Sequence, residues 1–402
     1  MSTSNSPIVI AYSGGLDTSF CIPWLKNNLK KEVITVTIDT GGIDKKDAGL
    51  LENRALKLGA IEHHLIDAKD EFFDRVIKYL IAGNIRKGHL YPICVGAERG
   101  LQAEKLAAFA KDNNLDTVAH GCTAAGNDQV RFDVALRTIN PKLTILAPIR
   151  DNNWSREEQQ LFLNDYSDVL ASKNSDYSHN RGLWGITVGG NETLTSLSSI
   201  PEEVWPLSAN AYTTNLPPTN YVIRFKNGVP ISLNGTHYSP VKLIEKLEEI
   251  GSSYAIGRGI HLGDTIIGTK GRVAFEAPAA SILIKTHREL EKLVLTAQQI
   301  KTKDLLASIY GDFIHEGKQL DLAARDIEAF FVSTQKRVSG DVKFTLRPGS
   351  VFIDGVDSCY SLMTASSGLY GEKTGEWSGE DAKGFSKILS LPGSLQSIAG
   401  KQ

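Results

Sequence analysis

The chain has 402 residues, of which 41% are hydrophobic and 22% are charged, and its formal net charge is −2. We expect two or three domains, because a single hydrophobic core rarely grows beyond roughly 250 to 300 residues. The charges are interspersed without a basic block, and no apolar run reaches the roughly 20 residues of a membrane helix, so neither nucleic acid nor a membrane is an expected partner.

Short apolar runs alternate with longer amphipathic stretches through the first 150 residues, a pattern typical of a parallel sheet covered by helices. The predicted strands span residues 8–12, 33–38, 117–120 and 143–147. The predicted helices span residues 18–27, 47–58, 71–83 and 96–112. The pattern predicts a doubly wound α/β domain, in which the loops after Tyr12, Ile38 and His120 converge on one ligand site at the carboxyl ends of the strands.

The rest of the chain predicts an α+β domain and a C-terminal arm. After a helix at residues 155–163, residues 172–218 are rich in Ser, Thr, Asn and Pro and are predicted to be mostly loop. A second region begins near Tyr221. Its predicted elements are strands at 221–225, 265–270 and 281–286, helices at 239–250, 289–309 and 320–338, and a hairpin of residues 342–346 and 350–354. The predicted domains are residues 1–170, 171–365 and a Gly- and Ser-rich arm, 366–402, that needs another surface to dock on.

The phosphate loop, as we call residues 13–19, reads Ser-Gly-Gly-Leu-Asp-Thr-Ser and lies between a predicted strand and a predicted helix. Glycines let the backbone approach a ligand closely, and the free N–H groups of a helix N-terminus attract phosphate. An alternative is that Gly14 and Gly15 form a simple turn and that Thr18 or Ser19 caps the helix. The complete run favours ATP binding, because it matches the signature of the PP-loop ATP pyrophosphatases.

A second polar run, residues 120–132, reads His-Gly-Cys-Thr-Ala-Ala-Gly-Asn-Asp-Gln-Val-Arg-Phe and follows another predicted strand. Its small residues leave room for a ligand, and its polar side chains crowd at a sheet edge where ligands bind. The alternative is a solvated loop with Asn127 and Asp128 in a turn. Together the two runs favour a ligand site.

Residues 11–19 and 120–133 resemble the two signature segments of the argininosuccinate synthase family, and similarity extends through residues 55–60, 147–148, 178–187, 268–278 and 325–335. The resemblance implies a PP-loop, HUP-like nucleotide-binding domain followed by a synthetase domain. It implies that citrulline is adenylated by ATP and then condensed with aspartate, releasing AMP and pyrophosphate, in arginine biosynthesis. ATP is then a substrate that arrives with Mg²⁺, no cofactor is tightly bound, and the assembly is a homotetramer with exchanged C-terminal segments.

The resemblance also implies which residues bind each substrate. The ATP site would comprise Ala11, Tyr12, Ser13, Gly14, Gly15, Leu16, Asp17, Thr18, Ser19, Ile38, His120 and Gly121. Aspartate would be bound by Thr123, Asn127 and Asp128. Citrulline would be bound by Tyr91, Asn127, Arg131, Ser178 and Thr187, where Thr187 replaces a serine of the family pattern. The expected catalytic residues are Asp17, Asp128 and Arg131, and Asp17 is a candidate outer-shell partner of Mg²⁺.

The chain departs from the family pattern around the amino-acid end of citrulline. Family members have Leu-Gly-Thr-Ser after the binding tyrosine, whereas residues 92–96 here read Pro-Ile-Cys-Val-Gly. The common pattern also supplies a Glu and a Tyr where this chain has Gly263 and Phe275. These changes leave the ATP and aspartate segments intact, and they suggest the hypothesis that a modified, N-acylated citrulline is accepted.

The remaining alternatives find little support in the sequence. A PP-loop enzyme that adenylates a tRNA base would call for a basic patch or a cysteine pair, and an ATP sensor without catalysis would not need Asp128 or Arg131. His63 and His64 are adjacent and no H-x-x-x-H occurs, so no protein metal site is expected. Four cysteines without a C-x-x-C pair and a polar start unlike a signal peptide favour the cytoplasm.

Overall fold

The computed structural model describes residues 6–166 and 177–400, and the strands in this part form three sheets. The predicted domain boundary at residues 170 and 171 lies outside the described residues. Of the three sheets, the first is parallel and the other two are antiparallel. The predicted succession of an α/β domain and an α+β domain is confirmed.

The first sheet consists of β1 (Ile8–Ala11), β2 (Val33–Asp39), β3 (Glu62–Asp67), β4 (Thr117–Ala119) and β5 (Thr144–Leu146). Its order is β3-β2-β1-β4-β5, and all neighbours are parallel. The order reverses between β1 and β4, so the carboxyl ends of these strands form the switch point where ligands bind in such sheets. The apolar pattern does not predict β3, because Glu62, His63 and His64 interrupt it.

Helices cover both faces of this sheet. They are α1 (Leu16–Leu29), α2 (Lys45–Lys57), α3 (Lys69–Phe72, a π-helical turn Phe73–Ile77, then Lys78–Ala82), α4 (Arg99–Asp112), α5 (Asp128–Ile139), α6 (Pro148–Asn152) and α7 (Arg156–Phe162). Ile8 and Ile10 belong to the apolar cluster that includes α1, whereas Val9 between them belongs to the cluster that includes α4. β1 is therefore buried on both faces, as a central parallel strand should be.

Two antiparallel sheets follow. The second sheet has the order β11-β12-β7-β6 and consists of β6 (Ser178–Gly182), β7 (Gly185–Gly189), β11 (Arg258–Asp264) and β12 (Lys270–Glu276). The third has the order β10-β9-β8-β13-β14 and consists of β8 (Thr219–Lys226), β9 (Val229–Leu233), β10 (Thr236–His237), β13 (Gly340–Arg347) and β14 (Ser350–Asp357). The helices of this region are α8 (Pro240–Ser253), α9 (Pro278–Val294), α10 (Ala297–His315), α11 (Leu322–Gln335), α12 (Leu362–Ala365), α13 (Gly379–Leu389) and α14 (Leu391–Ala399).

The prediction of mostly loop for residues 172–218 is partly wrong, because this segment contains β6 and β7. The β6 sequence, Ser-His-Asn-Arg-Gly, is largely exposed and shows no apolar alternation, so it carries no strand signal. The predicted strand at residues 265–270 is also wrong, since it falls on the turn between β11 and β12. The Thr265 nitrogen donates to the Thr269 carbonyl at 2.7 Å and closes this turn.

Two further predictions fail in the long helices. Residues 281–286 lie inside α9 rather than in a strand, because a short apolar run does not distinguish a buried strand from one side of a buried helix. The single helix predicted at residues 289–309 is two helices. α9 ends at Val294, and the Thr296 side chain caps α10 by accepting a hydrogen bond from the Gln299 nitrogen in a capping box.

A buried polar network joins the two halves of the molecule at the loop that follows α3. Lys303 and Glu291 are both fully buried and their side chains lie 2.8 Å apart. The Glu291 carboxylate also accepts from Asn84 at 2.6 Å and from Gln335 at 2.8 Å, and Lys303 donates to the Ala82 carbonyl at 2.7 Å. This network fixes α9, α10 and α11 against the end of α3.

We expect Lys303→Met to lower the free energy of unfolding by about 3–5 kcal/mol, because it removes the buried ammonium at 2.8 Å and leaves the Glu291 carboxylate with only the more distant Arg288, 3.9 Å away, among the described cations. Urea denaturation followed by circular dichroism measures the change. Lys301→Met, which removes an exposed lysine two residues away on the same helix, should change the stability by less than about 0.5 kcal/mol. Equal effects of the two substitutions would contradict the assigned role of the network.

Candidate active site

The phosphate loop is held in shape by its own hydroxyl groups and by α2. The Ser13 and Thr18 hydroxyl oxygens lie 3.1 Å apart, and the Gly15 nitrogen donates to the Ser13 hydroxyl at 3.4 Å. Gly14 has a φ of 74°, a conformation that favours glycine, and its carbonyl accepts from Arg54 at 2.6 Å. Gly15 starts α1 without a side-chain cap. Backbone N–H groups at such a helix start suit phosphate oxygens.

The loop after β4 lies directly beside the phosphate loop. A side chain at Gly121 would place its Cβ 3.0 Å from the Thr18 nitrogen. The end of β2 is tied to the same place, because the Thr37 hydroxyl donates to the Tyr12 carbonyl at 2.6 Å. The expected convergence of the three loops is therefore confirmed, and Ile38 lies next to this tie at the end of β2.

The buried His120 side chain uses both ring nitrogens in hydrogen bonds within the protein. The Cys122 nitrogen donates to Nδ1 at 3.3 Å, so Nε2 carries the proton and donates to Asp133 at 3.0 Å. Although burial opposes it, this hydrogen bond and the charge of Arg150 lower the pKa of Asp133. The imidazole thus braces the start of the loop against α5, and only the His120 backbone remains for a nucleotide.

Asp17 lies in the first turn of α1, where the phosphate loop ends. Burial raises the pKa of its carboxyl group, against a smaller opposing effect of a hydrogen bond to Gln159. No group of three or more His, Cys, Asp or Glu side chains in the described ranges is arranged to hold a metal ion. Within the phosphate loop, residues 13–19, Asp17 is the one carboxylate that a cation could meet.

The Asp128 carboxylate is shared by two arginines. Arg99 donates to one of its oxygens at 2.9 Å and Arg131 to the other at 2.7 Å. Although desolvation opposes them, the two guanidinium charges lower the pKa of Asp128 to about 2. Asp128 therefore remains ionised at neutral pH and acts as a fixed negative charge with about one third of its side chain exposed.

The interpretation of residues 120–132 as a loop is partly wrong, because α5 begins at Asp128. An isolated carboxylate on a loop would contribute little to stability, whereas Asp128 ties α5 to α4 through Arg99. The two loop residues predicted to accompany it differ in their contacts. Thr123 is exposed, and the Asn127 side chain accepts from the Ile266 nitrogen at 2.8 Å, which links the loop to the turn between β11 and β12.

Arg131 connects Asp128 to the C-terminal half of the chain. Its Nε donates to the His315 carbonyl at 2.7 Å, and Nη2 lies 3.2 Å from His315 Nδ1. Burial and the Arg131 charge lower the pKa of His315 to about 3, so its imidazole is neutral and accepts from the guanidinium. A side chain at Gly96 would place its Cβ 3.1 Å from the Arg131 guanidinium carbon. Each terminal nitrogen of Arg131 retains one N–H for a ligand.

A strained turn follows Tyr91. Ile93 and Val95 have φ of 58° and 63°, values that β-branched residues rarely adopt. The Gly96 nitrogen donates to the Cys94 carbonyl at 2.7 Å, which makes Val95 the centre of a γ-turn with positive φ. The Tyr91 hydroxyl donates to the same carbonyl. Backbone strain of this kind is concentrated at functional sites and costs about 1–3 kcal/mol per residue.

The second sheet brings one of the predicted citrulline residues, Thr187, toward Tyr91. The Tyr91 ring centre lies 5.1 Å from that of Phe275, and Phe275 pairs with Thr187 across β12 and β7. Ser178 lies at the start of β6, opposite Gly189, and is exposed. The structure therefore groups Tyr91 with Thr187 through Phe275, and it leaves Ser178 at the edge of this group.

Sequence reasoning missed three residues around Asp128. Arg99 and His315 have no motif around them, and only their contacts with Asp128 and Arg131 reveal them. Glu98 is 2% exposed, accepts from the Thr40 hydroxyl at 2.6 Å and leaves its second oxygen without a hydrogen-bond partner among the described residues. Burial raises the pKa of Glu98 to about 8, so its carboxyl is protonated at neutral pH.

Glu98 lies where the two halves of the chain meet. Any side chain at Gly182, at the end of β6, would collide with the Glu98 carboxyl, and the neighbouring Leu183 nitrogen donates to the Thr40 carbonyl at 3.0 Å. The glycine thus lets the hairpin of β6 and β7 close over the end of β2.

No helix in the described ranges is both long and apolar enough to cross a membrane.

Comparisons with known proteins match both halves. Residues 7–167 match the family model described as arginosuccinate synthase N-terminal HUP domain, and residues 177–396 match the model of the arginosuccinate synthase C-terminal domain. Curated relatives named argininosuccinate synthase from Dictyoglomus turgidum and Methanocaldococcus jannaschii are 37% and 35% identical over 395 residues, which are 98% of each chain. A solved structure described as a predicted subunit of tRNA methyltransferase from Methanocaldococcus jannaschii aligns with 40% of this chain over 74% of its own length. The two are 14% identical with a TM-score of 0.28, a likeness too low to support a conclusion.

Glu98→Gln tests the protonated state of this carboxyl. Because the folded pKa of about 8 lies above the ordinary value of 4.5, folding of the wild type takes up a proton and its stability falls as pH rises from about 4.5 to 8. The variant has no proton to lose, so its stability relative to wild type should rise over this window, by up to about 1.4 kcal/mol per pH unit.

Urea denaturation at several pH values between 5 and 8.5 measures this difference. Glu157→Gln, an exposed site in the first turn of α7, is the matched control and should follow the wild-type pH dependence. A constant difference between Glu98→Gln and wild type across the window would show that Glu98 is ionised in the folded protein.

Proposed function

This chain belongs to the argininosuccinate synthase family, a family of ligases, and we propose that it joins citrulline to aspartate with ATP and releases AMP and pyrophosphate. The observation that carries the proposal is the line of contacts that starts at the phosphate loop. Thr18 lies beside Gly121, and the chain leads from there to Asp128, which is paired with Arg131. The Arg131 guanidinium lies against Gly96, and the Cys94 carbonyl accepts from both Gly96 and Tyr91. Such a line can hold a nucleotide, an amino acid and a ureido substrate in succession.

In the first step, the ureido oxygen of citrulline attacks the α-phosphorus of ATP. The uncapped start of α1 and the hydroxyls of Ser13 and Thr18 support binding of the β- and γ-phosphates as one group. Holding these phosphates stabilises pyrophosphate as the leaving group, a contribution that is electrostatic and needs no covalent intermediate. Mg²⁺ would arrive with ATP and be bound mainly by phosphate oxygens and water, and a single carboxylate such as Asp17 fits a partner in its outer shell.

In the second step, the aspartate amine attacks the activated ureido carbon and AMP leaves. Thr123, Asn127 and Asp128 are the proposed aspartate ligands. Because Asp128 stays ionised, its role would be to attract and orient the amino group, and it is too weak a base to accept its proton at neutral pH. Arg99 and Arg131 hold the carboxylate in place from both sides, which limits its orientations.

Citrulline would lie between Arg131 and the second sheet. Tyr91, Asn127, Arg131, Ser178 and Thr187 are its proposed ligands, and the free N–H groups of Arg131 suit a carboxylate or a ureido oxygen. The Tyr91 hydroxyl already donates to the Cys94 carbonyl, so it would act toward citrulline as an acceptor or through its ring.

We also propose that the chain assembles as a homotetramer through residues 366–402. No described residue of α13 or α14 is buried, and Phe385, Ile388 and Leu395 are 66%, 68% and 63% exposed. An apolar helical surface of this kind is typical of a segment that docks on another subunit. The four free cysteines support a reducing compartment, and the reaction is proposed to take place in the cytoplasm.

Pyrophosphate release, measured with ATP, citrulline and aspartate and with each omitted in turn, tests the proposed reaction. We expect Asp128→Asn to lower kcat/KM for aspartate by roughly 10- to 150-fold, because a hydrogen bond to a charged group contributes about 1.5–3 kcal/mol. Asp112→Asn, at the exposed end of α4, should retain wild-type rates. Pyrophosphate release that does not depend on citrulline would exclude the activation step.

The assembly is tested by light scattering after size-exclusion chromatography. We expect Ile388→Asp to lower the assembled mass to that of smaller species, because it places a charge on the apolar side of α13. Ser386→Asp, two residues away on the same helix, should leave the mass unchanged. A tetramer that survives Ile388→Asp would place the subunit contacts elsewhere.

A further inference from the structure

One face of the second sheet is turned toward Tyr91. Residues paired across antiparallel strands share a face, and Gly259, Phe275 and Thr187 form one such row across β11, β12 and β7. The Tyr91 ring lies 5.1 Å from Phe275 and is stacked on His261 at 5.7 Å, with an angle of 17° between the ring planes. This face therefore forms the wall at the end of the proposed citrulline site.

The two strands β11 and β12 contribute no carboxylate to the wall. Its positions on β11 and β12 are Gly259, His261, Gly263, Gly271, Val273 and Phe275. The acidic residues of the same two strands, Asp264 and Glu276, lie on the opposite face. An α-ammonium group placed against this wall would find aromatic, aliphatic and glycine surface where a counter-charge is needed.

Three carboxylates near the wall have cationic partners, and a fourth, Glu98, lies against Gly182 at the β6 end of the same face, where burial raises its pKa to about 8. Asp128 is bonded by two arginines and is the proposed partner of the aspartate amine, Asp312 lies 2.9 Å from Lys87, and Asp264 lies 2.5 Å from Lys270. Positive charge is in excess at this end of the site. Burial and the Lys87 charge lower the pKa of His261, and the same lysine, after burial and Arg131, contributes to the lowered pKa of His315.

His261 in the wall lies between two glycines, Gly88 and Gly263. A side chain at Gly88 would place its Cβ 2.8 Å from the His261 ring, and one at Gly263 would come within 2.5 Å of the same ring. His261 therefore occupies room that glycine leaves on both sides, and it is partly exposed. A ring with glycine neighbours can turn aside for a ligand more readily than one packed between side chains.

We infer that the preferred ureido substrate is a citrulline acylated on its α-nitrogen, an inference that rests on the proposed function. Acylation converts the ammonium into a neutral amide, which needs no counter-ion and whose acyl carbons can pack on Val273 and His261, the partly exposed side chains of the wall. The ureido group at the other end is unchanged, so the adenylation and condensation steps are the same. The wall therefore determines which citrulline derivative binds, and it does not change the reaction that follows.

Initial rates of pyrophosphate release with ATP and aspartate test the inference, with citrulline and Nα-acetylcitrulline as the two probes. We expect kcat/KM to be at least 10-fold higher for Nα-acetylcitrulline. An equal or higher value for free citrulline would overturn the inference and leave the proposed function standing. Release with neither compound would overturn both.

A matched pair of variants tests the reason for the preference. Gly263→Glu adds a carboxylate to the wall, and Gly263→Gln adds a side chain of the same shape without charge. We expect the ratio of kcat/KM for free citrulline to that for Nα-acetylcitrulline to rise at least 10-fold in the Glu variant relative to the Gln variant. Equal ratios would refute the missing counter-charge as the cause. If neither variant folds, Val273→Glu and Val273→Gln provide the same comparison from β12, and the wild-type ratio remains decisive.

Discussion

The carboxylate of Asp128, held by Arg99 and Arg131, is the interaction on which the rest of the site depends. Arg99 comes from α4, Asp128 and Arg131 come from α5, and Arg131 continues to His315 at the end of α10. One ion-paired group therefore connects the nucleotide-binding half of the chain to the helical half. Partly buried charges are stabilising only when their partners are placed well, so this cluster also restricts how the halves can be arranged. The same restriction keeps a negative charge at the middle of the proposed substrate path.

The two ends of that path are built by different means. At the ATP end, glycine conformation and the uncapped start of α1 leave backbone N–H groups for phosphate, and Gly121 allows the loop after β4 to approach Thr18. At the citrulline end, side chains dominate, and the γ-turn at Val95 holds Gly96 against the Arg131 guanidinium. Backbone donors recognise any polyphosphate in the same way, whereas a side-chain wall can change with few substitutions. Related enzymes that act on different acceptor substrates are thus expected to differ at the wall and not at the phosphate loop.

The sequence allowed the parallel sheet to be predicted because β1, β2, β4 and β5 are apolar runs, and glycines follow the first three of them. It did not reveal β3 or β6, whose polar residues hide the strand period, and it could not separate α9 from a strand within residues 281–286. In the site, the two signature runs predicted the convergence of loops beside Thr18. The sequence could not predict that Arg99, Glu98 and His315 belong to the site. Each of them contacts a residue that is distant in the chain, and a single charged or imidazole side chain gives no local sequence pattern. The placement of the predicted ligands toward substrate remains a prediction.

The strain at Ile93 and Val95 indicates why these residues, and not more flexible ones, follow Tyr91. Both side chains are buried, at 0% and 6% exposure, and burying an aliphatic side chain contributes about 1.5–3 kcal/mol, enough to offset the cost of a positive φ. Glycine at these positions would relieve the strain but would lose that packing and leave the turn free to move. The Cys94 carbonyl, which accepts from both the Tyr91 hydroxyl and the Gly96 nitrogen, then fixes the ring and the turn together. With Tyr91 and its turn fixed, the neighbouring wall would discriminate between amino-acid derivatives by the charge they must bury, because the backbone there cannot shift to provide a new partner.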